Sequence, residues 1–283
     1  MKPVRTVKKV LHNQPTMEGA GVRLHRVFGY YQLPDFDPFL LLDDFGSDDP
    51  HDYLAGFPWH PHRGIETVTY MLDGIVEHGD SLGNKGVINS GDVQWMTAGS
   101  GIIHQEMPKR FDGTMRGFQL WVNLPKSHKM MAPRYRDLTS DDFPIVEPQS
   151  GVKIKIIGGK VDDVQGPAGD LVVDVTYLDV SLKSGTHWVC PVPVDENAFI
   201  YVYEGDGQVS GNPNDVYSNG QIVLFNQDSA QIKITAGAKG MRYLLVFGKP
   251  LNEPIAWRGP IVMNTDDELR LAFSEYHNGT FIK

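Results

Sequence analysis

The chain has 283 residues, with 26 Lys+Arg against 35 Asp+Glu and a formal net charge of −9. That acidity argues against a dedicated nucleic-acid binder, which needs a basic face to release counterions from phosphate. Hydrophobic residues at 41% and charged residues at 22% describe a folded globular chain, long enough for two domains or one large one.

With 30 Gly and 19 Pro, turns must be frequent, which favours many short strands over long helices. The longest apolar runs, such as Phe39-Leu40-Leu41-Leu42, fall far short of the roughly 20 residues that span a bilayer. The stretch from Met1 to Leu11 carries four basic residues and no apolar core, so no secretory signal is visible. Cys190 is the single cysteine, which excludes a disulfide framework or a thiolate metal cluster within one chain. The expectation is a cytoplasmic protein with no membrane partner, monomeric by default.

In chain order, the first chemistry-bearing segment is His60-Pro61-His62. Side chains alternate along an extended segment, so both imidazoles share one side, and Pro61, lacking an N–H, marks an edge or rim. Glu66 to Leu72 alternates as a strand and closes at Asp73-Gly74. Gly91-Asp92 opens the next strand, Val93 to Met96, followed by the glycine-rich turn Thr97-Ala98-Gly99-Ser100-Gly101. His104-Gln105-Glu106 then repeats the same-face doublet, and Arg116 to Leu124 gives a further strand. Phe57, Trp59, Trp95 and Trp121 flank these motifs, either as core or as the lining of an aromatic pocket.

A second copy of the pattern follows. Phe199 to Gly205 can be laid over Val68 to Gly74, and Gly220 to Phe225 over Gly91 to Met96. A duplicated β-barrel domain accounts for both length and repeat, with the boundary in the polar stretch from Pro133 to Gly151. The second copy offers only His187 where the first has its doublet, and thirteen residues beyond Gly220 stands Lys233, where Gly91 leads to His104. No second metal site is expected. His12, His25, His51, His78, His128 and His277 have no partner at ligand spacing, and Cys190 reads as inert packing. At the C-terminus, Thr265-Asp266-Asp267-Glu268 is a capping box. Leu269, Ala272, Phe273 and Tyr276 then form one face of an amphipathic helix that ends at Asn278-Gly279.

Two doublets bracketing a strand-turn-strand unit point to a metal. Imidazole and carboxylate without thiolate suits Fe(II), Mn(II), Ni(II), Cu(II) or a catalytic Zn(II), with positions left for water, substrate or dioxygen. Spacing leaves the carboxylate open: Glu66 lies four residues after His62 and Glu106 two after His104, each with the required parity.

The segments His60 to Val68 and Gln94 to Pro108 resemble the two N-terminal signatures of the pirin family, and Gly259-Pro260-Ile261-Val262-Met263-Asn264-Thr265 resembles its C-terminal signature. The resemblance runs over nearly the whole chain. It implies an all-β bicupin, two antiparallel β-barrel (jelly-roll) domains face to face with a short C-terminal helix. The expected division is 1–135 for a metal-bearing barrel and 136–283 for a barrel without ligands that carries the helix. The family's ligands match His60, His62, His104 and Glu106, which leaves Glu66, the position used in the wider cupin superfamily, as a residue that orients a ligand.

The same resemblance implies one divalent transition metal, Fe(II) first, with Ni, Zn, Mn, Co or Cu as alternatives. It also implies quercetin 2,3-dioxygenase activity, in which a flavonol and O2 react with ring opening and release of carbon monoxide, and Glu106 takes the flavonol proton. The rival expectation is a non-enzymatic, iron-containing, redox-sensitive regulator that binds a protein partner, a transcription factor or a metabolic enzyme, without direct nucleic-acid contact. A third option is a metal that only stabilises the barrel.

Overall fold

A computed structural model describes residues 3–210 and 215–283. Alternating side chains and glycine turns produce antiparallel sheet almost throughout, as the sequence implied. The only α-helix among the described residues is Asp266–His277, and none is long and apolar enough to cross a membrane. Two compact units form, and both have the cupin-type β architecture expected.

The first unit comprises Gln14–Ser140 and Leu251–Lys283. Its larger sheet has seven strands in the order Arg134–Leu138, Val93–Thr97, Ile65–Asp73, Met115–Asn123, Phe39–Ser47, Val22–Phe28 and Gln14–Glu18. A second sheet has four, Phe57–His62, Ile102–Pro108, Val76–Asp80 and Lys85–Ile88. Phe57–His62 is an edge strand, which tolerates the missing N–H of Pro61. A short hairpin, Ala256–Arg258 with Ile261–Met263, completes the strands of this unit.

The second unit takes the chain up to Asn13 together with Asp141–Pro250. Its main sheet runs Val7–His12, Gln221–Phe225, Asn197–Val209, Gln231–Gly248, Val175–Leu182, Val152–Gly158 and Ile145–Val146, with His187–Pro191 and Val216–Ser218 pairing off this path. Where the first copy breaks its strand at Gly74, the second continues through Glu204-Gly205 as one long strand whose register shifts there. Val152, Ile154, Leu178, Val180, Ile200, Val202, Ile232 and Ile234 belong to its apolar core.

The boundary between units falls inside the polar stretch from Pro133 to Gly151, but the two ends of the chain depart from the expected division at 135/136. The N-terminal strand Val7–His12 pairs with Gln221–Phe225 of the second unit. Arg5 is buried there, donating to the carbonyls of Ser229 and Glu196 at 2.9 and 2.8 Å. Conversely the C-terminal helix belongs to the first unit. Its buried Leu269 and Ala272 pack with Ala256, Ile261, Met263 and Phe281, and Glu275 binds the buried Arg63 guanidinium at 2.6 Å. The capping box closes as expected, Thr265 Oγ1 accepting from the Glu268 N–H and Glu268 Oε2 from the Thr265 N–H.

Candidate metal centre

His60, His62 and His104 converge because two antiparallel strands put them opposite one another. His60 pairs directly with His104 and His62 with Ile102, so all three imidazoles project from one face of the four-stranded sheet. Register slips between His104 and Glu106, where Glu106 faces Phe57. Bulges of this kind re-aim side chains next to sites. One ring nitrogen from each histidine lies within 4.8 Å of the other two, the only such cluster of potential ligands among the described residues.

The hydrogen bonds fix which nitrogens are available. His60 Nδ1 lies 2.9 Å from the Pro58 carbonyl and His62 Nδ1 lies 3.2 Å from the Pro260 carbonyl. A carbonyl only accepts, so both Nδ1 atoms carry hydrogen and both Nε2 atoms present lone pairs. Those two Nε2 atoms are 3.1 Å apart. Two lone pairs at that distance repel unless a proton or a metal cation sits between them. A proton is disfavoured: burial, then the neighbouring His60, pushes His62 down to about 3, and burial lowers His60 and His104 as well. His104 is 1% exposed, with neither ring nitrogen hydrogen-bonded. An unpaired buried polar ring is costly, and a metal ion accounts for all three residues at once.

Glu106 is buried beside this cluster but its carboxylate stands outside the 4.8 Å set. Its Oε1 accepts from Thr69 Oγ1 at 3.1 Å, and the same hydroxyl lies 2.6 Å from Gln119 Oε1. Burial raises the Glu106 carboxyl to about 7, opposed by the Thr69 bond. Glu66 does not approach the histidines. Its oxygens accept from Trp95 Nε1 at 3.1 Å and Thr97 Oγ1 at 2.6 Å. The parity argument for Glu66 assumed a continuous strand, but the chain turns at Arg63-Gly64 and starts a new strand at Ile65. Gly64 has φ +78° there, and a Cβ would collide with the Val262 carbonyl. Thr69, three residues after Glu66, lies on the other face and reaches Glu106, as period-two alternation requires.

Four contributors escaped sequence reasoning. Pro260 orients His62 from the C-terminal hairpin, whose Val262 N–H donates to the Arg63 carbonyl at 3.1 Å. Thr69 and Gln119 support Glu106 from the facing sheet. His78, set aside as unpartnered, pairs across the strands with Glu106 and is 6% exposed; the alternation Val76, His78, Asp80 was its available signal. His187 is exposed, and Cys190 is buried with its thiol pushed up by burial, in keeping with inert packing.

The cluster opens on a cavity of about 910 Å3 lined by His60, His62, Thr69, Glu106, Trp121 and Phe57, among others. Trp121 stands edge-on to His62 at 5.0 Å between centroids. Arg26 and Asp43 also line the cavity, joined through two 2.8 Å bonds, and burial raises Asp43 to about 6. Of the other flanking aromatics, Trp95 is core and Trp59 is exposed.

Comparison with known proteins gives one consistent answer. A family profile described as Pirin matches residues 21–122, and one described as the Pirin C-terminal cupin domain matches residues 177–282. A pirin-like protein of Caulobacter vibrioides is 46% identical over 280 residues, covering 99% of this chain and 100% of its own. A Pseudomonas aeruginosa protein that carries the name "Putative quercetin 2,3-dioxygenase PA3240" is 44% identical over 284 residues, covering 99% of each chain. Among solved structures, a quercetin 2,3-dioxygenase from Acinetobacter baumannii aligns with TM-score 0.91 and 32% identity over 98% of both chains.

Proposed function

The chain belongs to the pirin family, and from that premise we propose that it is a metal-dependent dioxygenase that opens a flavonol ring with O2 and releases carbon monoxide. The observation that carries the reading is the pair of bare Nε2 atoms 3.1 Å apart beside an unpaired, buried His104, open to an aromatic-lined cavity. His60, His62 and His104 hold the ion through neutral imidazoles, and Glu106 completes the set. Fe(II) is the first choice of metal, with Mn, Co, Ni, Cu or Zn compatible with the same donors. When bound, the ion supplies Lewis acidity toward an enolic hydroxyl and a redox centre for O2.

The protein's own groups divide the remaining work. Glu106, buried beside the histidines with Thr69 donating to its Oε1, is placed to accept the flavonol 3-hydroxyl proton. Thr69 steers that carboxylate; its single hydroxyl hydrogen serves one acceptor at a time, so a Gln119 amide turned to present its NH2 leaves it for Glu106. The cavity has the volume of sites that take ligands of flavonol size. Trp121 and Phe57 offer apolar rings to a flat polyphenol, while the Arg26–Asp43 pair gives the lining a polar edge.

The test is oxygen uptake together with loss of flavonol absorbance, using protein loaded anaerobically with Fe(II) and assayed beside Glu106→Ala. Stoichiometric O2 consumption by the wild type alone supports both the reaction and the role of Glu106. Full metal loading without turnover on any flavonol overturns it and favours the redox-sensitive regulator, whose affinity for a protein partner would change between Fe(II) and Fe(III).

A further inference from the structure

A file of oxidisable rings leads from the histidine cluster to solvent within the same unit. Trp121 touches His62 at 5.0 Å between centroids, and Trp257 follows 6.2 Å from Trp121. Tyr30 lies 5.6 Å from Trp257, and Tyr31 lies 5.6 Å from Tyr30. Exposure rises to 50% at Tyr30 and 92% at Tyr31. Edge-to-face contacts dominate, the favourable arrangement for aromatic pairs. The Trp257 indole is held by its N–H bond to the Gly259 carbonyl at 2.8 Å.

The choice of residue types is informative. Every member is Trp or Tyr, the aromatic side chains that a strong one-electron oxidant can oxidise. Phenylalanine cannot, and the unit uses it nearby for packing: Phe28, Phe36 and Phe39 form a buried ring cluster with centroids 5.9 and 5.7 Å apart. The four rings of the file also come from separate places in the chain, a loop after Val22–Phe28, the strand Met115–Asn123 and the C-terminal hairpin. Electron-transfer rates fall steeply with distance, so a series of contact-range hops outruns one long step through the same protein.

We propose that Trp121, Trp257, Tyr30 and Tyr31 form an electron-hopping path between a metal held at His60, His62 and His104 and one-electron carriers in solution. The proposal rests on the metal-centre reading above. An external one-electron oxidant takes an electron from Tyr31, whose phenolic proton passes to water. Tyr30, Trp257 and Trp121 refill the hole in turn, and a metal held at the histidines would supply the last electron through His62. Water returns the proton to Tyr31. In sum the metal loses one electron, the external oxidant gains one, and no bond in the protein has changed.

The experiment loads the protein anaerobically with Fe(II), mixes it in the absence of flavonol with photogenerated tris(bipyridyl)ruthenium(III), a one-electron oxidant strong enough to oxidise Tyr31, and follows iron oxidation by transient absorbance. Chelator competition measures iron affinity in parallel. Trp257→Phe is expected to slow oxidation by about tenfold or more, while Trp257→Tyr, which restores an oxidisable ring, keeps most of the wild-type rate, and both retain iron. Wild-type rates in Trp257→Phe overturn the path. Equal slowing by Phe and Tyr also overturns it, because only shape would then matter. A wild type that holds no iron fails the metal-centre reading itself, and chelator competition separates that result from a failed path. In metal-free protein, one-electron oxidation by azide radicals should give tryptophan radicals that decay into tyrosyl radicals, with a fast phase missing in Trp257→Phe. Its persistence there overturns the path independently of metal.

Discussion

The two halves of the chain use one edge-strand arrangement to opposite ends. In the first unit, Phe57–His62 lies against Ile102–Pro108, and the shared face carries His60, His62, His104 and Glu106. In the second, His187–Pro191 lies against the start of Gln231–Gly248, and the buried positions are Trp188, Cys190, Ile232 and Ile234. Apolar residues at these positions join a continuous core. Imidazoles and a carboxylate there sacrifice that stabilisation and create a site. The comparison teaches that the frame positions a site without specifying one; the interior residue types decide. It also corrects one detail of the repeat: Lys233 pairs with the exposed Val189 and faces outward, so the interior counterparts of the clustered histidines are its neighbours, Ile232 and Ile234.

The contrast can be broken most severely on the first side. His104→Ala is expected to abolish iron binding and turnover, measured by metal content after desalting and by oxygen uptake; retained stoichiometric iron would refute the three-histidine set. On the second side Trp188→Ala should cost about 3–5 kcal/mol in denaturant unfolding, as large core truncations do, with iron affinity unchanged.

A pH series sharpens the role of Glu106. Its carboxyl lies near 7 while the three imidazoles lie below their usual 6.5. Around neutrality the proton competing with metal is therefore the one on Glu106, and a protonated carboxyl does not ligate. Iron affinity should rise with pH, by up to about tenfold per unit below 7, and level off above it. Glu106→Gln should be weaker and nearly flat. Thr69→Val removes the donor that orients Glu106 and should weaken iron binding by about tenfold, seen by chelator competition. The smallest effect belongs to Lys233→Ala, within about 0.5 kcal/mol in stability and without change in iron affinity.

Much of this molecule was legible in its sequence where the physics is local. Period-two alternation placed His60 with His62 and His104 with Glu106, Pro61 marked an edge, and Thr265 with Glu268 announced the helix. Where Glu66 points was not local: it turned on whether Arg63-Gly64 continues a strand or ends it, which the close approach of the Val262 carbonyl decides. Amphipathicity told that the helix packs, not on which unit. The Pro260 bond to His62 and the contact of Tyr30 with Trp257 join residues far apart in the chain, so no spacing rule could have found them.

The crossing of the terminal segments bears on how such a gene can be rearranged. Recombination at its midpoint, near the codon for Ser140, would separate two products that are each deficient. The upstream product would have the histidines but not the Pro260 carbonyl that keeps the His62 hydrogen on Nδ1. The downstream product would lose Val7–His12 and leave Gln221–Phe225 as an exposed sheet edge, open to pairing with another chain. Two units that each draw a segment from the other end of the chain are in this way inherited together.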